Sequence, residues 1–166
     1  MLNRSLMVVA LALAGAVAGV ILHAVLTKGD SMLSWKRPGY LGVTEGRLAR
    51  CRSSPNCVSS QAEPADAEHY AAPIAFKGTA LEAMAAARKA LEGIGRCTVI
   101  RHESNYLYAE CRTRLMRFVD DIEFTHDERA GALHVRSASR LGRRDFGVNR
   151  QRVEAVRAAI EQGIRT

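Results

Sequence analysis

The order of apolar and polar positions divides this chain into an uncharged beginning and a mixed remainder. Residues 5–26 contain no Lys, Arg, Asp or Glu. As an α-helix rising about 1.5 Å per residue, this stretch would extend about 33 Å, which is enough to cross the hydrocarbon core of a bilayer. The pattern therefore predicts that residues 1–27 form a transmembrane anchor.

The charges beside the apolar stretch predict its orientation. Arg4 and the amino terminus precede it, and the positive-inside rule keeps such a terminus in the cytoplasm. This predicts a single-pass protein of a bacterial inner membrane with a periplasmic domain. A cleaved signal peptide is the alternative, because small residues occur at 16–18 and 22–24. The apolar run is longer than the usual signal-peptide core, which favours an uncleaved anchor.

The segment after the apolar stretch, residues 28–50, has no sustained apolar period and carries several Gly and Ser residues. This composition is typical of a tether, so we predict a linker that leads into a soluble domain over residues 51–166. Trp35 and Tyr40 are open to two interpretations, as rings at the membrane interface or as contacts with the domain.

The soluble part begins its regular structure with a helix. Thr79 and Glu82 have the spacing of a capping box, in which each side chain accepts a hydrogen bond from the other residue's backbone N–H. Gly93 and Gly95 are expected to end this helix. Its predicted apolar face contains Leu81, Met84, Leu91 and Ile94.

A second helix is predicted near the end of the chain. Asn149 is a plausible N-cap, and the helix is expected to run to about Gln162. Val153, Val156 and Ile160 recur at helical spacing and form its apolar stripe.

Four strands are predicted between the two helices, because each segment is rich in β-branched or aromatic residues. They cover residues 96–101, 105–113, 117–125 and 132–139. The polar segment 126–131 ends in Gly131 and has the length of a hairpin connection. The sequence therefore predicts an α+β domain: an antiparallel four-stranded meander with both helices covering one face.

Four cysteines are expected to form disulfides, because their even number suits an exported domain. Cys51 and Cys57 enclose a five-residue loop that a disulfide closes easily, and Cys97 and Cys111 lie nearly opposite on consecutive predicted strands. The second bridge stays open at this stage. Zinc is disfavoured because structural sites usually bring closer cysteine pairs. We predict neither a metal nor a cofactor.

The formal charge is +7, and the excess is concentrated towards the end of the chain. Between residues 136 and 157 there are seven arginines and two acidic residues. Such a surplus favours an anionic partner such as a lipid headgroup or a phosphorylated molecule. A solvated basic face that only aids solubility is the alternative.

The last predicted hairpin carries a polar cluster that includes Asp120. With the turn at 126–131, Asp121 lies opposite Arg136 and Glu123 lies opposite His134, while the apolar residues of both strands face the core. The cluster is either a pocket that binds a ligand or exchanges protons, or a set of cross-strand ion pairs on a solvated sheet. No nucleophile with a base at a recognisable spacing is present, so we assign no catalytic residue.

Other function classes lack their motifs. The sequence has no glycine-rich phosphate loop and no HExxH motif. The expected sheet face offers charges where RNA-binding sheets have stacked aromatic rings. Export also disfavours nucleic acid as a partner.

Several motifs, in this order, resemble the domain of unknown function 1499 family. They are Cys51-Arg-Ser-Ser-Pro-Asn-Cys-Val-Ser-Ser-Gln61, Phe118-Val-Asp-Asp-Ile-Glu-Phe124, Arg136-Ser-Ala-Ser-Arg140 and Asp145-Phe-Gly-Val-Asn-Arg-Gln-Arg152. The resemblance extends over about residues 48–162. It implies an exported or membrane-attached domain without an established activity.

The resemblance also marks residues that match the family pattern outside the cysteines and the polar cluster. They are Pro55, Asn56, Ser59, Ser60, His69, Arg136, Ser137, Ser139, Arg140, Asp145, Gly147, Asn149, Arg150 and Arg152. From this set we select candidates for binding an anion. They are Arg136, Ser137, Ser139, Arg140, Asp145, Asn149, Arg150 and Arg152.

Two interpretations of these candidates remain open. The start of the second helix together with the arginines would suit an anion. Alternatively, Asp145, Arg136 and Arg140 form an internal ion network that holds the turn. The favoured hypothesis is a non-catalytic, membrane-anchored module that binds an anionic ligand, lipid or partner protein, or serves as an accessory subunit of a membrane complex. An acid/base enzyme that uses Asp121, Glu123, His134 and Arg136 is the alternative.

Overall fold

The computed structural model describes residues 36–164, and these residues fold as one unit. The predicted anchor over residues 1–27 and the first residues of the predicted linker lie outside this range. Within residues 36–164, none of the helices has the length and apolar character needed to span a bilayer.

Two helices and eight strands make up the described part of the chain. In order they are β1 Val43–Thr44, β2 Arg47–Leu48, β3 Cys57–Ser59, β4 Ile74–Ala75, α1 Ala80–Ile94, β5 Cys97–Glu103, β6 Tyr106–Arg112, β7 Val119–Asp127, β8 Ala132–Ser139 and α2 Val148–Ile164.

The predicted meander is present, but its sheet has six strands where four were expected. The order is β3-β8-β7-β6-β5, and all neighbours are antiparallel. Strand β4 also pairs with β8, at the start of β8, whereas β3 pairs with its later residues. Strands β3 and β4 contain three and two residues. Segments this short show no alternation of apolar and polar positions, so pattern analysis does not detect them.

The predicted capping box starts α1. The N–H of Glu82 donates to Thr79 Oγ1, and the N–H of Thr79 donates to Glu82 Oε2 at 2.8 Å. Leu81 was expected on the buried face but is 65% exposed. The helix packs through Ala83 and Ala90 as well as Met84, which turns its buried face away from Leu81.

Asn149 was expected to cap α2, and this prediction is wrong. The helix includes Asn149, whose side chain is fully buried. The carboxylate of Asp145 takes the capping role, because its oxygens accept the N–H groups of Gly147 at 3.0 Å and of Asn149 at 2.8 Å. A negatively charged group at this end also suits the helix dipole.

Both helices cover one face of the sheet, as predicted, and the main core lies between them. The α2 stripe of Val153, Val156 and Ile160 is buried. It packs in one cluster with α1 residues such as Met84 and with inward side chains of β6, β7 and β8, including Phe124. This face is apolar apart from its edge beside α2.

The other face of the sheet is covered by the segment that the sequence assigned to a linker. Leu48 in β2 is buried against Tyr106 and Tyr108 of β6, with Leu41 packed beside them. Arg37 pairs with Glu110 of the same strand at 2.7 Å. The folded unit therefore includes residues 36–50, and both faces of the sheet are buried.

The pairing of β7 with β8 differs from the predicted register by two residues. Glu123 lies opposite Arg136, and His134 lies opposite Thr125. Strand β7 continues to Asp127, whose carboxylate accepts the Ala130 N–H at 3.1 Å and closes a shorter turn than expected. A shift of two residues leaves every side chain on its predicted face but changes its partners.

The expected Cys51–Cys57 disulfide is present, and so is the second bridge, which the sequence left open. Cys51 is bonded to Cys57, and Cys97 is bonded to Cys111 across the β5–β6 pair. No sulfur is left free to bind zinc, because all four cysteines of the chain lie in these two bridges.

Candidate anion-binding site

The face of the sheet that points away from the helices carries buried ion pairs. Arg136 Nη1 donates to Glu123 Oε2 at 3.0 Å, and these side chains are 2% and 0% exposed. The other oxygen of Glu123 accepts the Tyr106 hydroxyl at 2.7 Å and the Gly42 N–H at 2.8 Å. The carboxylate is thus surrounded by donors, which compensates for its removal from water.

A second buried network lies beside the first. Arg140 donates to both oxygens of Asp121, with its Nη2 2.7 Å from Oδ1, and also to Glu110 Oε1 at 2.6 Å. The hydroxyl of Tyr108 donates to Asp121 Oδ1 at 2.7 Å. Arg37, which lies in the covering segment of residues 36–50, pairs with Glu110. Two arginines and two carboxylates therefore balance in charge.

The ionisation of these groups follows their surroundings. Burial raises the pKa of Tyr106 and of Tyr108, and the carboxylates beside them raise it further. Both tyrosines therefore remain protonated donors. Burial raises the pKa of Glu110, but the hydrogen bonds from Arg140 and Arg37 outweigh it, so the pKa is lowered overall.

A third polar cluster lies on the helix side, at the edge of the core. Arg152 donates to Asp120 Oδ2 at 2.6 Å and to Asn149 Oδ1 at 2.6 Å. Ser137 Oγ also donates to Asn149 Oδ1, and the Asn149 amide donates to Ser139 Oγ. Burial raises the pKa of Asp120 although Arg152 opposes the shift.

The eight predicted anion-binding candidates do not form one surface. Arg136 and Arg140 lie on the covered face, whereas Ser137 and Ser139 point towards α2, because neighbouring residues of a strand alternate between faces. Arg150 is directed elsewhere: its guanidinium donates to backbone carbonyls of the 67–70 loop. Arg136 and Arg140 therefore lie in internal ion networks, which was the alternative interpretation. Asp145, which was expected to join that network, caps α2.

The polar cluster proposed for acid/base chemistry is also divided. Asp121 and Glu123 are bound to arginines, while His134 Nδ1 lies 3.2 Å from Ser60 Oγ. Burial lowers the pKa of His134. No hydrogen bond or ion pair joins His134 to Glu123 in the described part of the chain.

Cationic side chains line a cleft between the covering segment and the end of the sheet. Its volume is about 390 Å³. The cationic residues in its wall are Lys36, Arg52, Arg136 and Arg140, and no Asp or Glu of the described residues shares it. Ser54 and Asn56 add polar groups. The carboxylates that neutralise Arg136 and Arg140 lie outside this wall.

Two of these cations flank one aromatic ring. The guanidinium carbon of Arg52 lies 5.1 Å from the centre of the Tyr40 ring, and that of Arg136 lies 5.4 Å from it. Such contacts hold guanidinium groups in place without neutralising them. Arg136 Nε has no hydrogen-bond acceptor within residues 36–164. This nitrogen is buried, so the positive charge open to a ligand in the cleft is that of the exposed Lys36 and Arg52.

One family model, described as a protein of unknown function (DUF1499), matches residues 47–160. This chain belongs to that family. No curated protein and no solved structure shows significant similarity to the chain. The family region contains Arg52, Arg136 and Arg140, whereas Lys36 and Tyr40 precede it.

The sequence analysis did not select Lys36 or Arg52, and for Tyr40 it left open a contact with the domain or with the membrane interface. Arg52 lies inside the Cys51–Cys57 loop, and the disulfide that closes this loop is the signal that could have drawn attention to it. Lys36 gave no signal, because the segment around it has no period that would predict contact with the sheet. The Tyr40 ring does contact the domain, beside Arg52 and Arg136.

Proposed function

We propose that this protein is a non-catalytic module that binds an anion, bearing a phosphate or carboxylate group, in the cleft of Lys36, Arg52, Arg136 and Arg140. The observation that carries the proposal is a wall with four cations and no carboxylate among the described residues. Planar guanidinium groups match the oxygens of phosphate and carboxylate groups well.

The charge balance within the cleft supports an exchangeable ligand. Arg136 and Arg140 are held by internal carboxylates, so they supply fixed donors and need no ligand to be stable. Lys36 and Arg52 form no ion pair with any residue in the 36–164 range and are exposed. An incoming anion would be neutralised mainly by these two side chains.

The proposed location follows the sequence prediction of a membrane anchor over residues 1–27 with the domain in the periplasm. Two disulfides support an oxidising compartment. In that setting the anion could be a lipid headgroup or a free phosphate compound, which share the same chemistry.

The test measures thermal unfolding of the full chain in mild detergent, with phosphate compared to chloride at equal ionic strength. A ligand at about ten times its Kd stabilises the folded state by about 1.4 kcal/mol. Phosphate should raise the melting temperature of the wild type and of Arg129→Ala, whose arginine lies in the exposed β7–β8 turn. Arg52→Ala should lose most of the response.

Two further arms distinguish the sources of the anion. Glycerol phosphate tests a free phosphate ester, and micelles containing phosphatidylglycerol test a headgroup. A response to either that depends on Arg52 supports the proposal. An equal response of wild type and Arg52→Ala to every anion, or no response of the wild type, contradicts it.

A further inference from the structure

Two neighbouring loops expose large apolar side chains to solvent. Leu115 and Met116 lie in the β6–β7 loop and are 88% and 53% exposed, and Phe146, just before α2, is 91% exposed. The loops are neighbours because both line one largely apolar cavity of about 470 Å³. Exposed apolar groups clustered in this way mark contact surfaces more often than isolated ones do.

Both loops contain a residue with an unfavourable backbone conformation. Phe146 has a φ of 54°, and so does Arg117 at the end of the β6–β7 tip. A left-handed conformation is uncommon for a residue other than glycine and is unfavourable for a bulky ring. The hydrogen bonds between Thr113 and Phe118 close the tip and hold the intervening residues outward.

Four arginines adjoin the apolar side chains in sequence. Arg114 and Arg117 flank Leu115 and Met116 in sequence, and Arg143 and Arg144 precede Phe146. All four are exposed, and none forms a salt bridge with another residue in the described range. The acidic residue of these two loops is Asp145, which is engaged at the start of α2.

We infer that this loop-tip surface, formed by Arg114–Arg117 and Arg143–Phe146, docks onto an anionic lipid bilayer. Apolar tips with a ring of arginines match the two layers of a membrane surface: the tips reach the boundary of the acyl chains, and the cations meet the phosphates. The inference does not rest on the proposed anion cleft, because the residues are different.

A spin label tests the docking in the full chain. All four native cysteines are in disulfides, so Met116→Cys gives one thiol for a nitroxide. Leu81→Cys is the matched control, because Leu81 is exposed and lies in the first turn of α1. This turn is far from the loop tips, since the Ala80 N–H donates to Glu128 in the β7–β8 turn, at the opposite end of β7. Depth is read from the accessibility of the label to oxygen and to a water-soluble nickel complex.

In liposomes with phosphatidylglycerol, the label at 116 should lie in the bilayer interface while that at 81 stays in water. Replacing Arg143 or Arg144 by Ala should lower the ratio of docked to undocked molecules about fivefold each, and Phe146→Ala about tenfold. Arg129→Ala should leave the ratio unchanged. Unfolding curves of each labelled variant establish that the fold is intact.

Two results would overturn the inference. The first is that the label at 116 is as accessible to nickel as the label at 81 in anionic liposomes, which would show that the surface does not dock onto lipid. The second is that the protein docks equally well onto purely zwitterionic and onto anionic liposomes, which would show that the arginines do not contribute to docking. Binding of phosphate in the cleft is measured separately, so either proposal can fail without the other.

Discussion

The two faces of the central sheet are buried by different means. Towards the helices, side chains such as Ile122, Phe124 and Val135 pack in a continuous apolar core. Towards the covering segment, their neighbours in the same strands are charged: Asp121, Glu123 and Arg136 are at least as deeply enclosed as many core residues. Alternation along a strand permits this division.

The difference shows how a short polar segment completes a fold. An apolar face is stabilised by area removed from water, and it accepts any partner of the right shape. A charged face needs specific donors, and here they include the Gly42 N–H, two tyrosine hydroxyls and the arginines. The covering segment is therefore held by few but directional contacts.

The largest expected effect comes from breaking the central ion pair. Glu123→Ala leaves the guanidinium of Arg136 buried without its carboxylate, which should lower the free energy of unfolding by about 3–5 kcal/mol. Denaturant titration measures the loss. Glu103→Ala is the control, because Glu103 forms an exposed pair with Arg101, and it should cost less than about 1 kcal/mol.

A double variant separates the charge from the burial. Glu123→Leu combined with Arg136→Met replaces the pair by apolar groups and should lose less stability than Glu123→Ala alone. If the double variant loses as much stability as the single variants Glu123→Leu and Arg136→Met lose in sum, the pair contributes through something other than compensation of a buried charge.

A moderate effect is expected from weakening the cover. Leu48 is the buried apolar residue of the covering segment, against Tyr106 and Tyr108. Leu48→Ala should lower the free energy of unfolding by about 2 kcal/mol, at the low end for such substitutions, because the cluster around it is small. Leu81→Ala, at an exposed position of α1, should change stability by about 0.5 kcal/mol or less. Equal effects would show that the segment contributes little.

The elements with strong local signals were predictable from the sequence. The capping box of Thr79 and Glu82 located the start of α1, and the strand-forming residues of segment 132–139 predicted the bounds of β8. The faces of Glu123 and Arg136 were also predicted, since an error of two residues in register does not exchange faces. Membership of the family followed from motifs that span the domain.

The rest depended on contacts between distant segments. Residues 36–50 pack against polar side chains, so their own apolar residues, such as Leu41 and Leu48, need no regular spacing. The burial of Asn149 follows from its hydrogen bonds to Ser139 in β8 and to Asn56, which lies 93 residues away in sequence. No local pattern reports such a partner. The cationic cleft was missed for the same reason.

The smallest expected effect concerns two histidines, His69 and His134, which form hydrogen bonds with Ser59 and Ser60 respectively. Burial lowers the pKa of His69, but the hydrogen bond that its Nδ1 donates to the Asp66 carboxylate outweighs this effect, so the pKa is raised overall. Its contribution to stability is therefore full below pH 6.5 and is lost as the pH rises through the folded-state value. Burial lowers the pKa of His134, so its contribution is full above pH 6.5 and is lost as the pH falls through the folded-state value.

The two substitutions should consequently tilt the pH profile in opposite directions. His69→Gln should cost more stability at pH 5.5 than at pH 8, because it removes a contribution present in acid. His134→Gln should cost more at pH 8 than at pH 5.5. Urea titrations at both pH values measure the tilt, with the exposed His102→Gln as the control. Parallel tilts of the two variants would show that one ring is not in the surroundings described. Burial outweighs the opposing effect of Asp127 at His134, whereas the pairing with Asp66 outweighs burial at His69.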